Sequence, residues 1–315
     1  MTGGTRASAR TEGGDGHGPA DGSPGLLVVG DIVTDVVARH RTPLARGTDT
    51  AARIRILPGG AGANVCCWAA QWNCADVRLL ARAGAADLAW HAERLTAAGV
   101  RPLLLPDAEA PTATVVALVD EDAERTFLTD SGAVLRLGPG DWAPPLLDGI
   151  GHLHLSGYLL FSDTSRRAAG LAMRSARERG IPVSVDPASA GFIAELGVER
   201  VLSALDGADV LFPNADEARL LTGLSDAAEA AAKLSRIVPL TVVTLGGQGA
   251  LVAESGRVTA RVPAEPAERV DTTGAGDAFT GAFLAARLAG ADAATAAAEG
   301  CRAGARAVTL VGGRP

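Results

Sequence analysis

Asp271-Thr272-Thr273-Gly274-Ala275-Gly276-Asp277-Ala278-Phe279 gathers two glycines and two carboxylates into nine positions. A β-rich segment, Arg261 to Val270, precedes it. An Ala-rich apolar run, Phe279 to Leu288, follows, with Phe279 and Phe283 at i, i+4. The pattern predicts strand, glycine turn and helix. Gly274 and Gly276 let main chain approach a ligand closely. The free N–H groups of a first helical turn, together with the helix dipole, favour an anion there. Asp277 beside such a site is repulsive unless it does chemistry. The chemistry that suits it is to take a proton from a hydroxyl attacking a phosphoryl group held by those N–H groups. The plainer alternative is a glycine turn capped by Asp277.

Other glycine-loop chemistries fit less well. A dinucleotide fingerprint needs a small third residue and an acidic ribose ligand further on; Phe279 takes the third position. A P-loop needs a lysine after its last glycine, and the chain's single lysine, Lys233, lies on an Ala-rich helical stretch.

Four more motifs lie upstream. Gly30-Asp31-Ile32-Val33-Thr34-Asp35 follows a strand-like run, and Pro58-Gly59-Gly60-Ala61-Gly62-Ala63-Asn64 precedes an apolar helix-like run. Asn214-Ala215-Asp216-Glu217 and Thr244-Leu245-Gly246-Gly247-Gln248-Gly249 each follow short apolar runs. By itself, Asn214 with Glu217 three residues on also reads as a capping box. Asp35 could equally be a turn residue, and Gly59-Gly60 a plain loop.

These five motifs, in this order from Leu26 to the C-terminus, resemble the ribokinase-like (PfkB-type) carbohydrate kinases. The resemblance implies transfer of the γ-phosphoryl of ATP to a hydroxymethyl group of a sugar or sugar-like alcohol. Asp277 would be the base, and the N–H groups of Gly274, Ala275 and Gly276 the anion hole. Asp35, Gly59, Gly60 and Asn64 would hold the substrate. Asn214, Glu217, Thr244, Gly246 and Gly249 would serve the nucleotide, with Glu217 reaching Mg2+ through water. In some members a carbonyl loop like Ala307 to Gly313 binds a monovalent cation beside Asp271 and Thr273, which here would be K+. The sequence stops at Pro315, about where a last ligand would come, so a looser cation site is expected.

The elements that must position these residues are legible as alternation. Leu26–Val29, Val77–Leu80, His152–Leu155, Val183–Val185, Val210–Phe212 and Val242–Leu245 read as buried strands. Helical stretches such as Ser165–Arg179, Ala215–Leu221 and Asp226–Ile237 lie between them. This predicts a three-layer α/β/α fold with a mainly parallel sheet, the site at the carboxyl ends of its strands, and each motif directly after a strand. Two segments break the pattern, about 36–57 and 112–130. The second has two alternating runs around the acidic turn Asp120, Glu121, Asp122. In the family such segments form a small β lid over the substrate, and a lid face often pairs with a second subunit, so a homodimer is expected.

With 315 residues, 47% of them hydrophobic, the chain can bury one large core. A net charge of −7 without a basic stripe argues against nucleic acid as a partner. Cys66, Cys67, Cys74 and Cys301 form no C-x-x-C pair and read as reduced thiols of a cytoplasmic protein. No run reaches membrane-spanning length. Met1 to Pro24, rich in Gly, Ser, Thr and Asp, reads as a disordered tail before a kinase domain over 25–315. His152 and His154 read as structural, the four tryptophans as core, and Asp186 as a residue supporting the site.

The chain departs from the family pattern at Val33 and Val134, where polar residues are common, and at Gly300 and Cys301, where an Asn often faces adenine. An acceptor with an apolar region follows. A nucleoside kinase of the same fold is the first alternative, with Tyr158 and Phe161 as its aromatic candidates. A non-catalytic ligand sensor is the second, and an intact Asp277 argues against it.

Overall fold

The computed structural model describes residues 24–121 and 125–315. Apart from Pro24, the expected disordered tail lies outside the described residues, and so does Asp122. Among the described residues thirteen strands form, in chain order: β1 (Gly25–Val29), β2 (Val33–His40), β3 (Ala52–Gly59), β4 (Val77–Gly84), β5 (Arg101–Asp107), β6 (Ala113–Val119), β7 (Arg125–Asp130), β8 (Ile150–Ser156), β9 (Val183–Asp186), β10 (Val210–Leu211), β11 (Leu240–Thr244), β12 (Ala250–Glu254) and β13 (Arg257–Val262). The helices are α1 (Ala61–Gln71), α2 (Leu88–Ala97), α3 (Asp163–Glu178), α4 (Ala190–Leu196), α5 (Val198–Ala204), α6 (Ala215–Thr222), α7 (Ala227–Leu234), α8 (Ala275–Leu288) and α9 (Ala293–Ala307).

Nine strands make one sheet in the order β13-β12-β11-β10-β9-β8-β1-β4-β5. Its pairs are parallel except those of β12 with β11 and β13, which are antiparallel at one edge. Every residue of β1 is buried, and the period-2 pleat divides them between two cores. Leu27 and Val29 join residues of α3, α5, α6 and α7 on one face. Leu26 and Val28 join α1, α8 and α9 on the other. A continuous apolar strand therefore needs helices on both sides, which is the three-layer arrangement.

α1 and α8 are built largely of small residues, and their backbones meet. A Cβ on Gly281 would lie 2.5 Å from the Val65 carbonyl oxygen and 2.9 Å from Ala69 N. That approach brings the first turns of the two helices face to face.

The remaining four strands form a separate sheet in the order β3-β2-β6-β7. Val33, Asp35, Ala113, Val115, Phe127 and Thr129 point to one face and line a cavity against the main sheet. Ile56, Val36, Val116 and Leu128 are in register on the other face. There Ile54, Ile56 and Leu128 are 62%, 63% and 58% exposed.

The strand expected over Arg261 to Val270 stops early. No strand runs into the Asp271 motif. β13 ends at Val262, and 263–269 has no regular structure. Pro263 and Pro266 deny that stretch ladder donors. The motif follows a loop instead, and α8 begins at Ala275, so Asp277 lies in its first turn.

Candidate active site

α1 starts after Gly60, whose φ of 98° is open to glycine without strain. Asp31, just after β1, caps this helix from across the fold. Its carboxylate accepts from Ala61 N at 2.7 Å, Gly62 N at 3.0 Å and the Ser156 hydroxyl at 2.7 Å. This places Asn64 one turn into α1, opposite α8. Asn64 Nδ2 donates to Asp277 Oδ2 at 2.8 Å.

α8 itself starts after Gly274, at φ 74°, where a Cβ would lie 2.4 Å from Gly313 Cα. Asp271 closes the turn from below. Its Oδ1 accepts from Thr273 N at 2.8 Å and its Oδ2 from Gly312 N at 3.1 Å. The main-chain N–H groups of Val270 and Asp271 both donate to Val308 O. The segment after α9 thus braces the glycine turn.

Asn214 and Glu217 cap α6 reciprocally. Asn214 Oδ1 accepts from Asp216 N and Glu217 N, while Glu217 accepts from Asn214 N at 2.8 Å and Asn214 Nδ2 at 2.6 Å. A parallel bridge sets Asn214 beside Thr244.

These groups share one cavity of about 490 Å³. Asp35, Gly60, Asn64, Thr273, Gly276, Asp277, Asn214, Glu217 and Thr244 are all on its wall, joined by Asp31 and Asp186. Crowding of carboxylates in a poorly solvated space shifts them upward. Desolvation pushes Asp277 up to about 8, against the Asn64 hydrogen bond, with Asp186, Asp31 and Asp35 adding repulsion. Asp35 rises to about 6 by desolvation, opposed by Arg314. Asp186 and Glu217 are both raised by burial, and Glu217 also repels Asp186. A carboxylate poised near neutrality beside a helix N-terminus can accept a proton from an alcohol while the turn holds an anion.

The described residues match a family profile, pfkB family carbohydrate kinase, over 24–315. The chain is a member of the pfkB carbohydrate kinases. It is 31% identical to a fructokinase of Klebsiella pneumoniae over 82% of this chain and 83% of that one. It is 34% identical to an ATP-dependent ribose-1-phosphate kinase of Halopiger xanaduensis over 85% and 86%. Among solved structures it resembles a putative ribokinase II from E. coli, at 25% identity and TM-score 0.81 over 92% and 94% of the two chains. An adenosine kinase from Sinorhizobium meliloti shares the fold, at 24% identity and TM-score 0.83 over 93% and 96%. This pfkB kinase is an ATP-dependent small-molecule kinase whose acceptor is an alcohol group.

Some expected residues of the kinase stand off the cavity wall. Gly59 lies beneath Asp35, so close that a Cβ there would be 2.1 Å from Asp35 Oδ2. Gly246 and Gly249 form the β11–β12 turn; Gly249 has φ 94°, and a Cβ would meet Val262 O at 1.9 Å. Gly300 has a packing reason, since a Cβ would strike the Phe279 ring at 2.7 Å. His152 and His154 both share the Ser184 hydroxyl, and burial lowers them to about 4 and about 3. They are structural, as expected.

Sequence reading missed Asp31, Arg314, Phe127 and Phe192. Asp31 sat inside a quoted motif, but its role depends on α1 arriving beside it. Ala188, at φ 80°, is a non-glycine residue in left-handed conformation on the cavity wall. A larger cleft, about 820 Å³, runs between α3 and α5 and contains none of the motif residues.

Proposed function

We propose that the cavity seats an acceptor between Asp35, Gly60 and Asn64, and the phosphates of ATP against the turn Gly274-Ala275-Gly276. Asp277 takes the proton of the attacking hydroxyl. The observation that carries this reading is the position of Asp277. It is in the first turn of α8, on the cavity wall, bonded to Asn64 and raised towards neutrality. Positioning and charge stabilisation supply the rest of the rate. Asn214, Glu217 and Thr244 face the nucleotide, with Gly246 and Gly249 shaping the turn behind them.

Magnesium fits this donor set. It keeps several waters and binds through phosphates with one or two carboxylates. Among the described residues no cluster of three or more metal-binding side chains exists, and Glu217 stands on the wall to act through water. When bound, the ion neutralises phosphate charge. A potassium site is proposed between Asp271, Thr273 and the carbonyls of 307–313.

The acceptor carries a flat or apolar group. Of the chain's six Phe and one Tyr, five line this cavity: Phe127, Tyr158, Phe161, Phe192 and Phe212. Phe161 and Phe192 have ring centroids 4.8 Å apart, and Tyr158 stands edge-on to Phe192 at 5.5 Å. Val33, Val115 and Val134 continue the apolar wall. A fully hydroxylated hexose would leave hydroxyls unpartnered there, at about 1–3 kcal/mol each. A ribofuranoside with an aromatic aglycone satisfies both ends. The experiment is ATP consumption across a panel of sugars and nucleosides. Plain hexoses as the best substrates, with Val33→Asn leaving the ranking unchanged, would overturn the reading.

The small sheet serves as the lid over the acceptor, and its outer apolar face pairs with a second copy. No helix among the described residues is long and apolar enough to cross a membrane.

A further inference from the structure

Arg314 lies behind the cavity. It is partly buried, and desolvation lowers its affinity for its own proton. Its Nε donates to Asn64 Oδ1 at 3.3 Å, and its Nη2 donates to Gly59 O at 2.8 Å. Its Nη1 is buried without a partner among the described residues. A desolvated guanidinium is expensive to keep unless its charge is used. The carboxylates Asp31, Asp35, Asp186, Glu217, Asp271 and Asp277 crowd this region, and Arg314 is a partly buried cation that acts on Asp35 from behind.

The geometry gives it a specific task. An amide can face a guanidinium only with its oxygen, because arginine has donors and no acceptor. With Oδ1 turned to Arg314, Nδ2 of Asn64 must turn the other way, where Asp277 Oδ2 receives it at 2.8 Å. The flipped amide would set donor against donor on one side and oxygen against carboxylate on the other. The second contact acts likewise. Gly59 is packed against the Asp35 carboxylate, and Arg314 holds Gly59 by its carbonyl. The main chain around Arg314 is itself fixed, since Trp68 Nε1 donates to Gly313 O at 2.9 Å. A Cβ on Gly313 would lie 2.3 Å from Asn64 Nδ2.

We propose that Arg314 is a positioning residue for phosphoryl transfer, orienting Asp277 through Asn64 and Asp35 through Gly59. The proposal rests on Asp277 being the base. Arg314 is not on the cavity wall, so it acts through these neighbours. The groups that face Asp277 are Asp31 after β1, Asp35 on β2, Asn64 on α1, Tyr158 after β8 and Asp186 at the end of β9. Of these, Asn64 contributes the hydrogen bond that favours the ionised form. Losing its orientation therefore raises the proton affinity of Asp277.

The test compares Arg314→Met, Arg314→Lys, Asn64→Ala and the Arg314→Met/Asn64→Ala double variant with the wild type. Melting temperature, kcat, both KM values and kcat/KM against pH are measured for each. Arg314→Met should lower kcat by about 10- to 100-fold, the scale of a small misplacement. KM for the acceptor should rise while KM for ATP holds. The acid limb of the profile should move to higher pH. Lysine should restore part of each. The double variant should be no worse in kcat than Asn64→Ala alone, because the arginine acts through that amide.

A wild-type acid limb and acceptor KM in Arg314→Met would overturn the proposal, whatever the melting temperature. Losses in kcat that add in the double variant would do the same, whereas acceptor KM can rise further there because the Gly59–Asp35 contact does not pass through Asn64. If Arg314→Met does not fold, Arg314→Lys is read by the same criteria. Asp277→Asn separates the two levels: retained turnover there removes the base itself. A dead Asp277→Asn with an unaffected Arg314→Met removes only the role given to Arg314.

Discussion

Gly281 of α8 lies directly against the main chain of Val65 in α1, with room for a hydrogen and none for a methyl group. Val65 adjoins Asn64, and Gly281 is one helical turn beyond Asp277. The contact that sets the helix spacing is thus also the contact that sets the Asn64–Asp277 hydrogen bond. Gly281→Ala should cost about 1–3 kcal/mol by overpacking. It should also lower kcat, as the two first turns are forced apart. Denaturant unfolding and steady-state kinetics check the two effects; loss of stability with unchanged kcat would separate packing from the site.

Gly276 gives the opposite case. A Cβ there meets nothing within 4 Å, and its φ is not in the left-handed region. The protein alone does not require a glycine at this position; only a ligand approaching the turn does. Gly276→Ala should leave melting unchanged, yet raise KM for ATP or lower kcat by at least about tenfold. A variant with normal kinetics would remove Gly276 from the anion hole.

Asp277→Asn should reduce kcat by about 10²-fold or more. The wild-type kcat/KM should fall as pH drops below about 8, because the base is protonated there. The stability effect has the opposite sense. Folding raises this carboxyl, so between its unfolded value and about 8 the folded state holds the extra proton. Stability from this group is present at low pH and lost as pH rises through that window. Asp277→Asn should therefore melt no lower than the wild type at pH 8. A lower melting point there would mean that the charge is well accommodated.

The potassium site proposed at Asp271, which lies among the main chain of Thr273 and the segment after α9, predicts potassium activation. Rates in potassium should exceed those in a bulky organic cation of equal ionic strength. Equal rates would leave Asp271 as a brace of the turn.

The outer face of the small sheet gives the last prediction. Ile54, Ile56 and Leu128 expose more than half of their surface on one side of it. Ile56→Arg should convert a dimer into monomers in sedimentation velocity. A wild type already monomeric at micromolar concentration would remove the interface.

The linear chain carried the parts that depend on local physics. Apolar runs such as Leu26–Val29 become strands because continuous burial on both faces needs them. Gly274 takes its left-handed turn, and Asn214 with Glu217 closes the capping box that their spacing permits. It also named most of the polar groups on the cavity wall, such as Asp35, Asn64, Asn214, Glu217, Thr244 and Asp277, because each belongs to a short motif. The tertiary structure alone decided which motifs touch. Asn64 and Asp277 are 213 positions apart, and Arg314 reaches Gly59 across 255. Their distances depend on how closely α1 and α8 pack, which turns on a missing methyl at Gly281. The loop before Asp271 replaced an expected strand because two prolines and the lack of a further partner edge outweighed β-propensity. The five aromatic residues lie scattered along the chain from Phe127 to Phe212; Tyr158, Phe161 and Phe192 meet beside the large sheet, and the small sheet adds Phe127 to the same wall.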